Sequence, residues 1–151
     1  MDKAGKAPWH LWVVGFVSLL WNAFGGYDYT MSQLRDPAYL EATMGQMGMS
    51  VEQSIAFLDS FPAWADALWA LGVWGSVAGS VLLLLRSRFA VIAFLASLVG
   101  AVLSFAYQYT IDLPSQMADT AMTKVMPLVI ILAVVLQWWY ARSQQAAGVL
   151  R

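Results

Sequence analysis

Four long apolar stretches, and the uneven distribution of basic residues between them, constrain the fold of this chain more than any other feature. The stretches cover residues 11–28, 63–85, 89–110 and 125–140. Each is long enough, or nearly so, to cross a hydrocarbon core of about 30 Å as a helix that rises about 1.5 Å per residue. We therefore predict an all-α fold: a four-transmembrane-helix bundle in which residues 1–151 form a single integral membrane domain.

Charged residues orient the predicted bundle. Arg35 and Lys124 fall on one side of the membrane, and the other six of the eight basic residues fall on the opposite side: Lys3, Lys6, Arg86, Arg88, Arg142 and Arg151. Lys and Arg are enriched in cytoplasmic loops. The pattern therefore predicts that both termini are cytoplasmic and that the loop 30–61 lies outside.

Composition excludes several classes of protein. With 60% hydrophobic and 11% charged residues, the chain has too little polar surface for a soluble domain. It has no basic face for nucleic acid, and its lack of cysteine excludes disulfides and thiolate metal sites. No Ser/His/Asp set, midplane acid pair or phosphate-binding loop is present, so we predict no enzymatic activity and no cofactor. The expected partners are the lipid bilayer and either a membrane protein or further copies of the chain.

The outer loop 30–61 carries two helix signals. Pro37 can open a short helix through Met44, and Ser50 with Gln53 forms a capping-box pattern before a second helix. We expect this loop to form a helical cap over the outer ends of the bundle, beside an extension of the fourth span that begins near Ser115. Beneath the cap we expect Asp28 to meet Arg35 or Lys124, because a carboxylate at a helix C-terminus opposes the helix dipole.

Small residues recur at helical spacing in the second and third spans. Such rows let two membrane helices approach closely, and the short link 86–88 makes these two spans antiparallel neighbours. The rows predict close packing within one chain, with a homodimer seam as the alternative; they comprise Gly72, Gly75, Ser76, Gly79, Ala96 and Gly100.

A candidate polar pocket combines deep amides, interface carboxylates and one indole: Asn22, Asp28, Asp66, Trp69 and Gln108. An aromatic face with amide donors suits a neutral polyol or sugar. Interhelical hydrogen bonds, each worth about 0.6 kcal/mol, explain the same amides without a ligand. Both interpretations stay open on the sequence.

No metal site is predicted. The single histidine, His10, suits either an interfacial anchor beside Trp9 and Trp12 or a haem or pigment ligand. The seven methionines after the initiator all fall on the outer side, where they suit either apolar filling or Cu(I) binding through thioethers.

Two strings resemble a group of small bacterial four-span inner-membrane proteins, some of which carry the name sugar transporter. They are WNAFGGYDY at 21–29 and FPAWADALWALGVWGSVAGSVLLLLRSRFAV at 61–91. The resemblance covers roughly the first three spans, and it implies a multi-pass protein of the bacterial inner membrane. We predict a non-enzymatic accessory or interaction subunit; the alternative is a small oligomeric transporter of a neutral solute such as a sugar.

Overall fold

The computed structural model describes residues 6–151, so that Lys3 lies outside the described residues. Within this range the chain is helical and contains no strand. A 3-10 turn at Gly45–Met47 follows the second of seven α-helices: α1 Trp9–Gln33, α2 Pro37–Thr43, α3 Val51–Asp59, α4 Ala63–Leu84, α5 Phe89–Gln108, α6 Ser115–Ala118 and α7 Ala121–Ala146.

Three helices, α4, α5 and α7, are long and apolar enough to cross a membrane. This confirms the all-α prediction and agrees with a protein that has membrane-spanning helices. The other long helix, α1, has 25 residues, but it carries Asn22, Asp28 and several Trp and Tyr residues that lower its hydropathy.

The four long helices pack against one another as neighbours. α4 packs along α5, α1 packs on α4, and α7 packs on α5. α1 and α7 are linked through side-chain hydrogen bonds. The basic end of the protein carries Lys6, Arg86, Arg88, Arg142 and Arg151, and the acidic end, at the opposite side, carries Asp28, Asp66 and helices α2 and α3.

The contact between α4 and α5 is made almost without side chains. A Cβ added to Gly100 would lie 2.6 Å from the Gly72 nitrogen and 2.8 Å from the Leu68 oxygen. A Cβ on Gly75 would lie 3.0 Å from the Ser97 nitrogen, and one on Gly79 would lie 2.7 Å from the Phe94 ring.

Two of the small residues named from the sequence take other positions. The Ser76 carbonyl faces α1, where it accepts a hydrogen bond from Asn22. Ala96 is only half-buried, and the neighbouring Ser97, which is buried, donates instead to the Gly72 carbonyl. The α5 side of the seam therefore consists of Ser97, Gly100 and Ala101 rather than Ala96.

Local capping signals set the shorter helices. Ser50 and Gln53 form the predicted capping box, with each side chain bonded to the other's backbone N–H. The expected continuous extension of the last span from Ser115 is wrong, because the chain breaks after Ala118 and Thr120 caps a new helix by accepting from the Thr123 N–H. Helix α7 also continues to Ala146, beyond the predicted limit of 140.

The loop between α1 and α4 lies close to the acidic end. α2 contacts both α1 and α3, and a Cβ on Gly48 would lie 3.9 Å from Cγ of Gln116, just before α7. Tyr107, near the end of α5, makes edge-on ring contacts with Phe61 and Trp64, with ring centroids 5.8 and 4.8 Å apart. These contacts tie the loop to both α5 and α6.

The basic end is closed by the segment 148–151. Gly148, at φ 71°, ends α7 and turns the chain back. Val149 and Leu150 then join an apolar core that contains Leu11, Leu83, Ala90, Phe94 and Ala141. Two backbone hydrogen bonds of 2.8 Å, from the Arg151 N–H to the Arg86 carbonyl and from the Arg88 N–H to the Arg151 carbonyl, fix this segment against the α4–α5 turn.

Candidate functional site

Three side chains and one backbone carbonyl from three helices form a deep polar cluster, which we define as Asn22, Ser80, Gln137 and the Ser76 carbonyl. The Asn22 amide nitrogen lies 2.8 Å from the Ser80 hydroxyl oxygen, 3.0 Å from Gln137 Oε1 and 3.1 Å from the Ser76 carbonyl oxygen. Asn22 is 4% exposed and Ser80 is fully buried. The cluster therefore links α1, α4 and α7 inside the protein.

The inward face of α1 explains why Asn22 reaches these partners. Its buried residues are small or polar apart from Leu11, and they recur every three or four positions as far as Gly26: Leu11, Gly15, Ser18, Asn22, Gly26 and then Ser32. Small residues allow the helices to approach, and an amide between them finds acceptors on both neighbours. Both N–H groups of Asn22 are engaged, so its donors are satisfied within the chain.

A second group of polar residues lies at the acidic end. The Tyr39 hydroxyl, on α2, donates to an Asp28 carboxylate oxygen at 2.6 Å, and the Tyr39 ring meets Tyr27 edge-on. Burial raises the pKa of the Tyr39 hydroxyl above its ordinary value, and the hydrogen bond to the charged Asp28 raises it further. Tyr39 thus stays a neutral donor and attaches α2 to α1.

Aromatic rings from α1 and α4 meet next to this group. The Tyr29 ring contacts Trp69 and Trp74 edge-on, with ring centroids 4.9 and 6.4 Å apart. Gln33 Nε2 lies 3.4 Å from an Asp66 oxygen, which is a long and weak hydrogen bond. Trp69 and Asp66 therefore face α1 near the end of the helix rather than near its centre.

The five residues of the candidate pocket are found in separate surroundings. Asn22 belongs to the deep polar cluster, Asp28 bonds to Tyr39, and Asp66 and Trp69 lie beside Gln33 and Tyr29. Gln108 is the last residue of α5 and is half-buried. Asn22 meets α4 near Ser80, four residues or about 6 Å from the basic end of that helix, whereas Gln108 belongs to the acidic end.

Both candidate cations bind other carboxylates. Arg35 lies 3.0 Å from Asp59, and Lys124 lies 2.8 Å from Asp119. Neither of these cations pairs with Asp28. The expected compensation of Asp28 by a cation is replaced by the Tyr39 hydroxyl, which reaches it because α2 folds back onto α1.

The single histidine contacts α7. His10 Nδ1 lies 2.6 Å from the Tyr140 hydroxyl oxygen, and its ring meets Trp9 edge-on at 6.0 Å. Among the outer methionines, Met49 is 5% exposed and Met122 is 58% exposed. No group of three or more His, Cys, Asp or Glu side chains able to hold a metal ion occurs in the described part of the chain.

The chain matches no protein-family model, no curated protein and no solved structure at a significant level. Its function is therefore argued from its own residues.

Sequence reasoning missed two elements of these sites. Ser80 and Gln137 were visible as polar residues in apolar helices, but their pairing with Asn22 depends on how three helices are rotated. Tyr39 carried no signal beyond its place in a short helix next to α1.

Proposed function

We propose that the chain is a four-span protein of the bacterial inner membrane, with α1 as the fourth span. The outward face of α1 supports this proposal. Most of its exposed residues are large and apolar: Trp9, Trp12, Val13, Phe16, Val17, Leu20, Trp21, Phe24 and Tyr27. A helix with large apolar residues outside and small polar residues inside is suited to lipid and poorly suited to water.

The position of α1 along α4 supports the same conclusion. Near the basic end, a Cβ on Gly15 would lie 2.6 Å from Leu84 Cδ2. Further along, Asn22 bonds to Ser80, and near the acidic end Gln33 reaches Asp66. Because α1 accompanies α4 over nearly its whole length, a membrane that contains α4 also contains α1.

The basic end is proposed to face the cytoplasm, with both termini there. Five of the basic residues among 6–151 lie at this end and two, Arg35 and Lys124, lie at the other. This asymmetry follows the distribution of Lys and Arg in membrane proteins.

Within that frame, we propose that the protein is a non-enzymatic interaction subunit. The observation that carries this proposal is the aromatic content of the exposed α1 face between its two ends. Phe16, Trp21 and Phe24 are 57, 40 and 66% exposed, whereas the outward faces of α5 and α7 are mainly aliphatic. Large aromatic side chains contribute disproportionately to protein–protein contacts, so this face suits another membrane helix.

The interior supports an interaction role over transport. Asn22 has both its donors occupied, and the α4–α5 seam has no room for a side chain. The central parts of the four long helices carry no carboxylate and no basic side chain, whereas transporters that couple to ions place such groups deep in the membrane.

Photo-crosslinking in cells tests the proposal. A photoreactive amino acid at Phe16 or Phe24 is expected to give one adduct of defined mass with another membrane protein. The matched control is Leu132, which is 59% exposed on the aliphatic face of α7, and it should give no such adduct. Equal adduct patterns from both faces would contradict the proposed interaction.

Liposome permeability distinguishes the alternative function. Liposomes that contain the purified protein should respond to a glycerol or sorbitol gradient at the same rate as empty ones when followed by stopped-flow light scattering. Faster solute entry would favour the oligomeric transporter of a neutral solute.

A further inference from the structure

A groove between α1 and α7, near the basic end, opens to the side of the protein. The backbones of these helices remain further apart than those of the other neighbouring pairs of long helices. The space between them measures about 280 Å³ and is lined by Val14, Ser18, Leu136, Gln137, Trp139 and Tyr140. This volume is just below the range of about 300–1,000 Å³ that is common for small-molecule sites, so it fits part of a larger amphiphile.

Two polar groups that line the groove have no partner among residues 6–151. Gln137 Oε1 accepts from Asn22, but the Gln137 amide nitrogen donates to no described residue. The Ser18 hydroxyl likewise makes no hydrogen bond there. Gln137 is 8% exposed and Ser18 is 6% exposed. Both residues line the groove, so these polar groups are open to whatever fills it, and a donor left without an acceptor there is costly.

The lining restricts the chemistry of a partner. None of the six residues is charged at neutral pH, and Val14, Leu136 and Trp139 are apolar. A matching ligand therefore has a long apolar body and a neutral hydrogen-bond acceptor. A phosphate or an ammonium group placed beside Gln137 would have no opposite charge to compensate it.

The depth of Gln137 selects among neutral acceptors. Gln137 lies four residues, or about 6 Å, further into the membrane than Ala141, which packs with Leu11 at the basic end. Trp9, Trp12 and Tyr140 have the interfacial position typical of aromatic belts. A carbonyl about one helical turn beneath that belt is at the level where the acyl esters of glycerolipids meet the hydrocarbon core.

We infer that the α1–α7 groove binds one acyl chain of a membrane glycerolipid, with the Gln137 amide and the Ser18 hydroxyl donating to its ester carbonyl. This inference depends on the proposal that α1 is a membrane span. The apolar residues of the groove contact the acyl chain, and the headgroup remains outside. The site therefore distinguishes ester-linked from ether-linked lipids rather than headgroups of different charge.

A comparison of ester and ether lipids tests the inference on the unmodified protein. Native mass spectrometry is carried out from detergent with dioleoyl phosphatidylcholine or its dialkyl ether analogue, which has the same headgroup but no carbonyl. One ester lipid per chain should be retained about five-fold more strongly than the ether lipid, as expected for about 1 kcal/mol of hydrogen bonding. Equal retention of the two lipids, or retention of neither, would overturn the inference.

Two serine variants test whether the preference for the ester lipid arises in the α1–α7 groove. Ser18→Ala removes one donor, and the preference for the ester lipid should fall to about two-fold. Ser104→Ala is the matched control, because Ser104 is also 6% exposed and lies on α5, outside the groove. An undiminished preference in Ser18→Ala would place the lipid elsewhere.

The same spectra report the competing occupant, a second copy of the chain. A dimer that excludes lipid and is disrupted by Ser18→Phe would contradict lipid binding. If the lipid test fails but cysteines at positions 6 and 52 are labelled from opposite faces of the membrane, only the lipid inference is rejected. Labelling from one face would reject the four-span proposal itself.

Discussion

The α4–α5 seam gives a sharp test of what holds this fold together. Gly100→Ala adds one methyl group to α5 where a Cβ would lie 2.6 Å from the Gly72 nitrogen and 2.8 Å from the Leu68 oxygen. Both neighbours are backbone atoms, so neither can rotate away as a side chain could. The helices must separate along the seam.

Gly25→Ala is the matched control. A Cβ on Gly25 of α1 meets nothing within 4 Å. Both substitutions replace a helical glycine by alanine, which by itself stabilises a helix by up to about 1 kcal/mol. The difference between the two variants therefore isolates the steric cost of the seam.

We expect Gly100→Ala to lower the free energy of unfolding by about 1 to 3 kcal/mol relative to Gly25→Ala, which is the usual cost of overpacking. Unfolding in mixed micelles of increasing denaturing-detergent content, followed by circular dichroism, measures this difference. Equal unfolding curves for the two variants would refute the close packing of α4 and α5. A change in the mass of the oligomer in Gly100→Ala would show that the seam joins two chains.

Three further predictions address the polar clusters and the topology. Asn22→Ala should destabilise the protein by about 1 to 2 kcal/mol in the same unfolding assay, because it removes up to three interhelical bonds of about 0.6 kcal/mol each; Asn22→Ala as stable as the unmodified protein would contradict the deep polar cluster. Because the pKa of Tyr39 in the folded protein lies above the ordinary value of 10.0, its contribution to stability is complete below pH 10 and is lost as the pH rises beyond that value. Tyr39→Phe should therefore lose less stability than the unmodified protein between pH 9.5 and 11. Parallel curves of stability against pH for the two proteins would contradict the contact with Asp28. Single cysteines at Lys6 and Glu52, both exposed in a chain without native cysteine, should react with a membrane-impermeant maleimide from opposite faces, and same-face labelling would contradict the proposed topology.

Features that depend on one helix at a time could be predicted from the sequence. The apolar runs of α4, α5 and α7 and the capping box at Ser50 are of this kind, because length, hydropathy and local hydrogen bonding determine them. The break at Thr120 was missed because an apolar periodicity continues across it, while a single threonine cap ended one helix and began another.

Features that depend on the rotation of two helices could not be predicted. Asn22 and Gln137 were both recognisable as deep amides, but a rotation of α7 by one residue, about 100°, would separate them. The five residues of the candidate pocket do not form one site, because Asn22 and Gln108 lie at different depths along the helices. Asp28 bonds to Tyr39 rather than to a cation because the turn after α1 brings α2 back onto α1, and this long-range contact could not be read from Pro37 alone.

The closure of the basic end by Val149 and Leu150 has a kinetic consequence. Their core partner Leu11 lies in α1, which leaves the ribosome before them, and roughly 140 residues separate Leu11 from Val149 and Leu150 in the chain. At about 5–20 residues per second, synthesis of that interval takes roughly 7 to 28 s. During this time Leu11 lacks its contacts with Val149 and Leu150. Assembly at this end is therefore completed only after the residues beyond α7 have been synthesised, and a chain stalled before them would leave the apolar surface of Leu11 and Leu83 uncovered.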